Sequence, residues 1–466
     1  MKPVTRMSDR LFGTTGVRKV YGEEISLDMA LELGKALGTY LKKGNVLLAR
    51  DARTTGAMVA DAFSAGLLST GINVHRAGVI PTPTLAFLTR HLRMDTGVMI
   101  TASHNPPEYT GIKFWKSDSM GYTQDMETEL EEIYQSHDFN SVGWDDLGEE
   151  TSLDSPEWIH IQEIVKRTNV DAIRQRDFRV VVDPGNGAAC VFTPYLMREI
   201  GCRVTSINGQ LDGHFPGRES EPDEDTLGDL IKMVKSSGAD LGIAHDGDAD
   251  RVVFVTEQGD VIRGDRTIAL LAREFLQRKK GGVVVTTVDS SKVLDETVKA
   301  SGGQTIRTPV GDIQVAVKMK EKDALLGGEA CGVFIHPDFH LAPEPFLTSC
   351  RILEMMASRG KAFGELISEI PVYPLKKTKL KCPDAKKRVV MGRLAETLPD
   401  EMDDVTDVLT VDGLGISLRD GWVLVRPSGT EPVIRITCEA QSEERAQSIL
   451  EDAKEVVQKA IDEVRE

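Results

Sequence analysis

The sequence predicts an α/β protein: three related α/β domains followed by a smaller α+β domain. Three observations carry the prediction. At 466 residues the chain exceeds one ordinary hydrophobic core and suggests roughly three or four domains. One local grammar, a β-branched run, a polar turn, a helical stretch and a Gly-led second run, occurs three times. Near Pro371 the pattern then changes to short strands joined by short turns.

The first copy is NVLLARDART (45–54), then MVADAFSAGLLST, then GINVHRAGV (71–79). The second is FRVVVDPGNGAA (178–189), then TPYLMREI, then GCRVTSIN (201–208). The third is GGVVVTTVDSS (281–291), then KVLDETVKAS, then GGQTIRT (302–308). Strands alternating with helices imply parallel layers with right-handed crossovers. Any α/β protein alternates in this way, so the repetition supports related domains without proving them. The last part reads VYPLKKTKLKC, a helical AKKRVVMGRLAETL, three strands (DVLTVDGLGISL, GWVLVRPSG, PVIRITCEA) and a closing helix from Ser442. The expected domains are 1–152, 153–255, 256–368 and 369–466, with the acidic, turn-rich segment 139–157 as a first linker.

Composition narrows the partners. Hydrophobic content of 40% with 28% charged residues is that of a globular chain, and no apolar run approaches the ~20 residues that span a bilayer. MKPVTRMSDRLFG lacks the apolar core of a secretory leader, so a cytoplasmic location and no membrane partner are expected. The net charge of −17 argues against nucleic acid and requires any anionic substrate to find a locally positive site. Six scattered cysteines without a CxxC pair read as reduced thiols.

Five motifs carry chemistry. In AHDGDADRVVFV (244–255), Asp246, Asp248 and Asp250 alternate at spacing two, so an extended backbone would aim three carboxylates one way. Without a cation they would repel; Mg²⁺ with a phosphoryl oxygen would hold them. A solvated acidic turn is the bland alternative. An EF-hand is excluded, since its sixth position is Arg251 and VVFV would have to be loop. In GWVLVRPSGTEPVIRI (421–436), a strand ends at Arg426 and a second brings Arg435; the turn between, with Ser428 and Thr430, forms an anion cradle or an ordinary hairpin. In GGEACGVFIHPD (327–338), Glu329 suits vicinal sugar hydroxyls or a capping role. LFGTTGVRK (11–19) places Arg18 after a Gly-Thr-Thr-Gly turn, while Arg50 and Arg53 flank Asp51; singly, each reads as a solvated arginine.

TASHNPPEYTGIKF (101–114) is the fifth. Ser103 needs a base or an electrostatic setting to act as a nucleophile. His104 is its neighbour, but adjacent side chains on an extended chain point apart, and the GxSxG elbow is absent. Phosphoryl transfer instead needs positioning, a metal and positive charge, which Lys113 would supply.

As a set, these motifs resemble the α-D-phosphohexomutases over essentially the whole chain. TASHNPPEYTGIK is similar to their serine loop, DGDADR to their metal loop, GGEACG to their sugar loop and RPSGTEPVIRI to their phosphate loop, in the family's order. The resemblance implies four domains around a central cleft. It implies that Ser103 carries phosphate and, with Asp246, Asp248 and Asp250, holds one Mg²⁺ per subunit. His104, Lys113, Arg18 and Arg251 would surround the reaction. Glu329 and Cys331 would meet the sugar, and Arg426, Ser428, Gly429, Thr430 and Arg435 would grip the non-reacting phosphate. A hexose phosphate is the implied substrate and a hexose bisphosphate the intermediate; monomer and dimer both remain open. LFGTTGVR resembles the form seen in phosphoglucosamine mutases and the chain as a whole looks closest to the archaeal-type enzymes of that group, with phosphomannomutase/phosphoglucomutase as the alternative within the family. Cys331 replaces a serine common in relatives, Val333 a histidine, and LAPEPF (341–346) an Arg-Asp-Gly element, with Glu344 standing for the acid. From other classes, a serine-dependent sugar phosphatase and a non-catalytic phosphosugar-binding protein remain.

Overall fold

The computed structural model describes residues 11–13, 16–428 and 431–464. The chain divides into two compact units: residues 1–264 with 331–366, and residues 265–330 with 367–466.

The first unit holds two mixed sheets. Strands β1 (Val17–Val20), β2 (Asn45–Arg50), β3 (Asn73–Val79), β4 (Thr96–Ile100), β5 (Tyr109–Lys116) and β6 (Glu150–Ser152) form the first, in the order β1-β5-β4-β2-β3-β6. The apolar runs β2 and β4 are buried along almost their whole length and pair in parallel. Such doubly covered strands need no polar alternation. Helix Leu27–Leu41 starts at Ser26, whose Oγ accepts from Met29 N, and packs on helix Gly56–Leu68. The segment expected as a linker contributes β6, an edge strand in parallel with β3. Glu150 earns that place by accepting from Arg76 Nε at 2.9 Å.

The second sheet comprises β7 (Arg179–Asp183), β8 (Arg203–Ser206), β9 (Leu241–His245), β10 (Val252–Thr256) and β11 (Val261–Ile262), ordered β11-β10-β9-β7-β8. VVFV is therefore strand, as the rejection of an EF-hand required. The returning segment brings β15 (Val333–Ile335) and helix Pro345–Arg359, tied in by Val252 N donating to Gly332 O at 2.9 Å.

The second unit contains β12 (Gly282–Thr287), β13 (Gly303–Thr308) and β14 (Leu326–Glu329), with β12 parallel to both others. Its remaining strands, β16 (Leu375–Lys381), β17 (Val405–Leu409), β18 (Leu414–Leu418), β19 (Gly421–Pro427) and β20 (Val433–Ala440), make an antiparallel sheet ordered β16-β20-β19-β18-β17. Helices Asp384–Glu401 and Glu443–Glu463 pack on one face over Ile416, Val423, Ile434 and Ile436. Three α/β assemblies and a C-terminal α+β assembly are thus the fold. Among the described residues no helix is long and apolar enough to cross a membrane, and the six cysteines are free.

Candidate active site

Two turns meet in the first unit. One follows β4 and carries Ser103; the other follows β9 and carries the three aspartates. Ser103 Oγ lies 3.2 Å from Asp246 Oδ2, and both residues are buried. Gly247 permits this approach, because a Cβ there would stand 2.7 Å from the Ser103 carbonyl oxygen and from Ser220 Oγ.

The aspartates converge for a different reason from the one expected. Residues 246–250 form a turn, not an extended run, with Ala249 at φ +58°. The turn still brings one oxygen from each carboxylate within 4.8 Å of the others. Lys113, buried on β5, donates to Asp248 Oδ2 at 2.9 Å and to Asp250 Oδ2 at 3.2 Å. Thr82 Oγ1 donates to Asp248 Oδ2 at 2.7 Å. Burial and the neighbouring Asp250 and Asp248 push the Asp246 carboxyl well above its usual range. Burial also opposes ionisation of Asp248, but Lys113 and Thr82 outweigh it and hold that group low. Lys113 is desolvated too, yet its two carboxylates leave it raised. Asp248 Oδ1 and Asp250 Oδ1 are buried with no hydrogen-bond partner. Orphaned anionic oxygens of this kind fit a hard divalent cation.

The Ser103–His104 geometry corrects the expectation that these side chains diverge. Ser103 has φ +53°, so the chain turns instead of extending, and Ser103 Oγ lies 3.3 Å from His104 Nδ1. Burial, then Arg251, Arg18 and Lys113, hold His104 far below the ordinary histidine range, so it is neutral near pH 7. Its Nε2 is 3.6 Å from Glu221 Oε2, and Glu221 also pairs with Arg251 Nη1. Arg251 N donates to Asp246 Oδ1 at 3.3 Å. Arg18 stands on β1, and its charge bears on His104, Lys113 and Asp248. Cys331 is half-buried and lies near enough to Arg251 to interact with it.

Arg53 is the second correction. It is 1% exposed, not solvated, and its guanidinium donates to four carbonyls of the serine loop. The tetrapeptide Arg-Asp-Ala-Arg (50–53), which closes β2, was the available signal. Thr82 and Glu221 stood in no motif singled out from sequence. Glu344 is the third correction. It is fully buried, accepting from His160 Nε2 at 3.0 Å and His340 Nε2 at 2.7 Å, and it caps Leu347 N at 3.1 Å. So placed, it cannot stand in for a sugar-facing acid.

The remaining motif residues belong to the second unit. Glu329 ends β14, where Oε1 accepts from Gly311 N at 2.8 Å. Arg426 and Arg435 sit directly opposite each other on β19 and β20. Like charges so placed repel unless anions intervene; here Arg426 is 3.0 Å from Asp412 and Arg435 is 2.7 Å from Glu431. Lys387 Nζ donates to Ser428 O and Glu431 O, each at 2.5 Å, closing the turn from beneath. Gly429 and Thr430 lie outside the described residues, as do Thr14 and Thr15 of LFGTTGVRK.

Comparison with known proteins matches family models to all four parts. "Phosphoglucomutase/phosphomannomutase, alpha/beta/alpha domain I" covers residues 9–141, domain II 159–259, domain III 263–373, and the C-terminal domain 378–456. The chain belongs to this family. It is an enzyme of the isomerase, phosphohexomutase type. A "Probable phosphoglucosamine mutase" of Methanopyrus kandleri is 45% identical over 98% of this chain and 100% of its own. A "Phosphoglucomutase/phosphomannomutase" of Thermococcus kodakarensis is 44% identical over 97% and 99%. Among solved structures, a phosphoglucomutase/phosphomannomutase family protein from Burkholderia thailandensis superposes with TM-score 0.87 at 26% identity, covering 99% of both chains.

Proposed function

We propose that the chain is a phosphoglucosamine mutase, interconverting glucosamine 6-phosphate and glucosamine 1-phosphate through a phosphoserine and a hexose bisphosphate, in the cytoplasm. The carrying observation is Ser103 Oγ 3.2 Å from Asp246 Oδ2, within a buried triplet that keeps two carboxylate oxygens unpartnered. The full-length likeness to archaeal relatives named phosphoglucosamine mutases supports the choice of sugar.

In this reading Asp246, Asp248 and Asp250, with the Ser103 phosphate, hold Mg²⁺. When bound, the ion supplies charge neutralisation on the transferring phosphoryl group. Ser103 gives its phosphoryl group to a sugar hydroxyl: the Ser103 Oγ–P bond breaks, a sugar O–P bond forms, and the hydroxyl proton passes through a base to the freed Ser103 Oγ. Neutral His104, beside Ser103 Oγ, has a lone pair for such a proton. After the bisphosphate reorients, Ser103 takes back the other phosphoryl group: that sugar O–P bond breaks, a Ser103 Oγ–P bond forms, and the serine proton returns to the sugar oxygen. Lys113, Arg18 and Arg251 supply positive charge where the chain as a whole is acidic. Glu329 and Cys331 meet the sugar. Arg426, Ser428, Gly429, Thr430 and Arg435 hold the distal phosphate, the two opposed arginines offering guanidinium forks for it.

Incubation of the phosphorylated protein with the 6-phosphates of glucosamine, mannose and glucose plus Mg²⁺, followed by ³¹P NMR, tests this. Glucosamine 1-phosphate should form fastest. No 1-phosphate from any sugar overturns the mutase reading, and dominant free phosphate favours a phosphatase. Faster turnover of mannose or glucose phosphate selects the second reading, which the Thermococcus kodakarensis relative's name favours.

A further inference from the structure

We propose that Arg53 is a positioning residue for phosphoryl transfer: it holds the backbone of the serine loop so that Ser103 Oγ points at the aspartate triplet. The inference rests on Ser103 being the phosphoryl carrier.

The guanidinium has five N–H groups, and the structure gives a partner to each. Nε donates to Asp51 Oδ2 at 3.1 Å. Nη2 donates to the carbonyls of Ser103 at 2.8 Å and Asn105 at 2.6 Å. Nη1 donates to those of Pro106 at 2.6 Å and Tyr109 at 3.0 Å. The loop from Ser103 to Tyr109 is thus wrapped around one buried cation, with the Phe215 ring centroid 5.2 Å from Arg53 Cζ.

A second path reaches Ser103 through Asp51, which is fully buried. Asp51 Oδ2 accepts from Thr101 Oγ1 at 2.6 Å, and Thr101 Oγ1 in turn accepts from Ser103 N at 2.9 Å. Asp51 Oδ1 accepts from Arg53 N at 2.9 Å. Both the amide and the carbonyl of Ser103 are therefore held by groups from the end of β2 or anchored to them. This matters because Ser103 has φ +53°, a conformation that non-glycine residues rarely keep unless surroundings impose it. A lysine has three donors and no planar fork, so it could not replace the contacts.

The test uses full-length Arg53→Ala, Arg53→Lys and Thr101→Val, with glucose 1,6-bisphosphate as phosphoryl donor and intact mass as readout. Misplacement of a reacting group by about 1 Å costs roughly 10²-fold, so Arg53→Ala should slow Ser103 loading and kcat by about that factor. KM for hexose phosphate should stay within about threefold, and millimolar guanidinium should restore at least about tenfold of the lost rate, an effect absent in Arg53→Lys. Purely structural damage would not be repaired by a small cation. Loading within threefold of wild type in a folded Arg53 variant overturns the proposal, as does a raised KM with kcat unchanged. If Arg53→Ala fails to fold, Thr101→Val decides: slowed loading supports the proposal and an unchanged rate overturns it. Ser103→Ala separates the two readings. Phosphate uptake persisting in Ser103→Ala would remove the carrier reading itself; uptake lost there but normal in the Arg53 variants would remove only the positioning role.

Discussion

Ser103 spends conformational energy to face the aspartate loop. A left-handed backbone costs a non-glycine residue roughly 1–2 kcal/mol, and Arg53 and Thr101 offset it through the hydrogen bonds that fix the turn. Asp248 is the most heavily engaged of the aspartates, with Lys113 and Thr82 on Oδ2 and a free, buried Oδ1. Asp248→Asn is expected to weaken the Mg²⁺ response of activity at or above the roughly 10–100-fold seen when outer-shell groups are lost. An unchanged Mg²⁺ titration would take the triplet out of the metal site. His245, behind the triplet, is fixed as a neutral ring: its Nδ1–H donates to Arg251 O at 2.8 Å and Nε2 is 3.0 Å from Thr193 Oγ1. Burial, opposed by the bond to Arg251 O, lowers it to about 4. The folded pKa lies below the unfolded value of about 6.5, so this contribution to stability is complete above pH 6.5 and lost as pH falls towards 4. Histidine hydrogen–deuterium exchange across pH should show His245 titrating well below 6; a midpoint near 6.5 would contradict the buried neutral ring.

Among elements, the β19–β20 hairpin shows how a sheet brings two arginines together where the proposed phosphate grip would lie. The register aligns Arg426 with Arg435, and Lys387 from helix Asp384–Glu401 ties both shoulders of the turn. That lysine lies outside the RPSGT pattern, because its helix precedes the hairpin by some forty residues in sequence. Lys387→Met keeps the stem and removes the charged hydrogen bonds, which are worth about 1.5–3 kcal/mol each. It should raise KM for hexose phosphate about tenfold, equivalent to ~1.4 kcal/mol of binding, with Ser103 loading unaffected. An unaltered KM would show that the turn keeps its shape unaided. Strands β2, β7 and β12 were legible from sequence, since β-branched apolar runs closing on polar turns mark strands. Strand β6 was not, because three exposed residues, Glu-Thr-Ser, have no apolar signature and pair only through β3.

At the scale of the molecule, a net charge of −17 presses on the folded chain through self-repulsion. Raising ionic strength from about 0.01 M to 0.15 M shortens the Debye length from roughly 30 Å to 8 Å. The unfolding midpoint should therefore rise over that range in a monovalent salt, measured calorimetrically without Mg²⁺ to avoid site binding. A flat or falling midpoint would mean that local ion pairs such as Arg76–Asp61 and Arg203–Asp177 outweigh the global field. In the proposed function, an acidic chain makes the local cations near Ser103 and on β19–β20 matter more for holding a phosphorylated sugar.

The sequence by itself determined the fold class, the family and the inventory of reacting groups, because those reside in short segments whose spacing is local. DGDADR suggests a cation and RPSGT an anion from local spacing, although each motif alone also fits an ordinary turn. Tertiary structure decided how the groups meet. Ser103 and Asp246 are 143 residues apart, and the positive φ that swings Ser103 towards both His104 and the triplet is held by Arg53 and Asp51 from the turn after β2. Burial decided the rest: Arg53 became a scaffold and Glu344 a buried hydrogen-bond hub, because desolvation is set by what packs around a side chain and not by its neighbours in sequence.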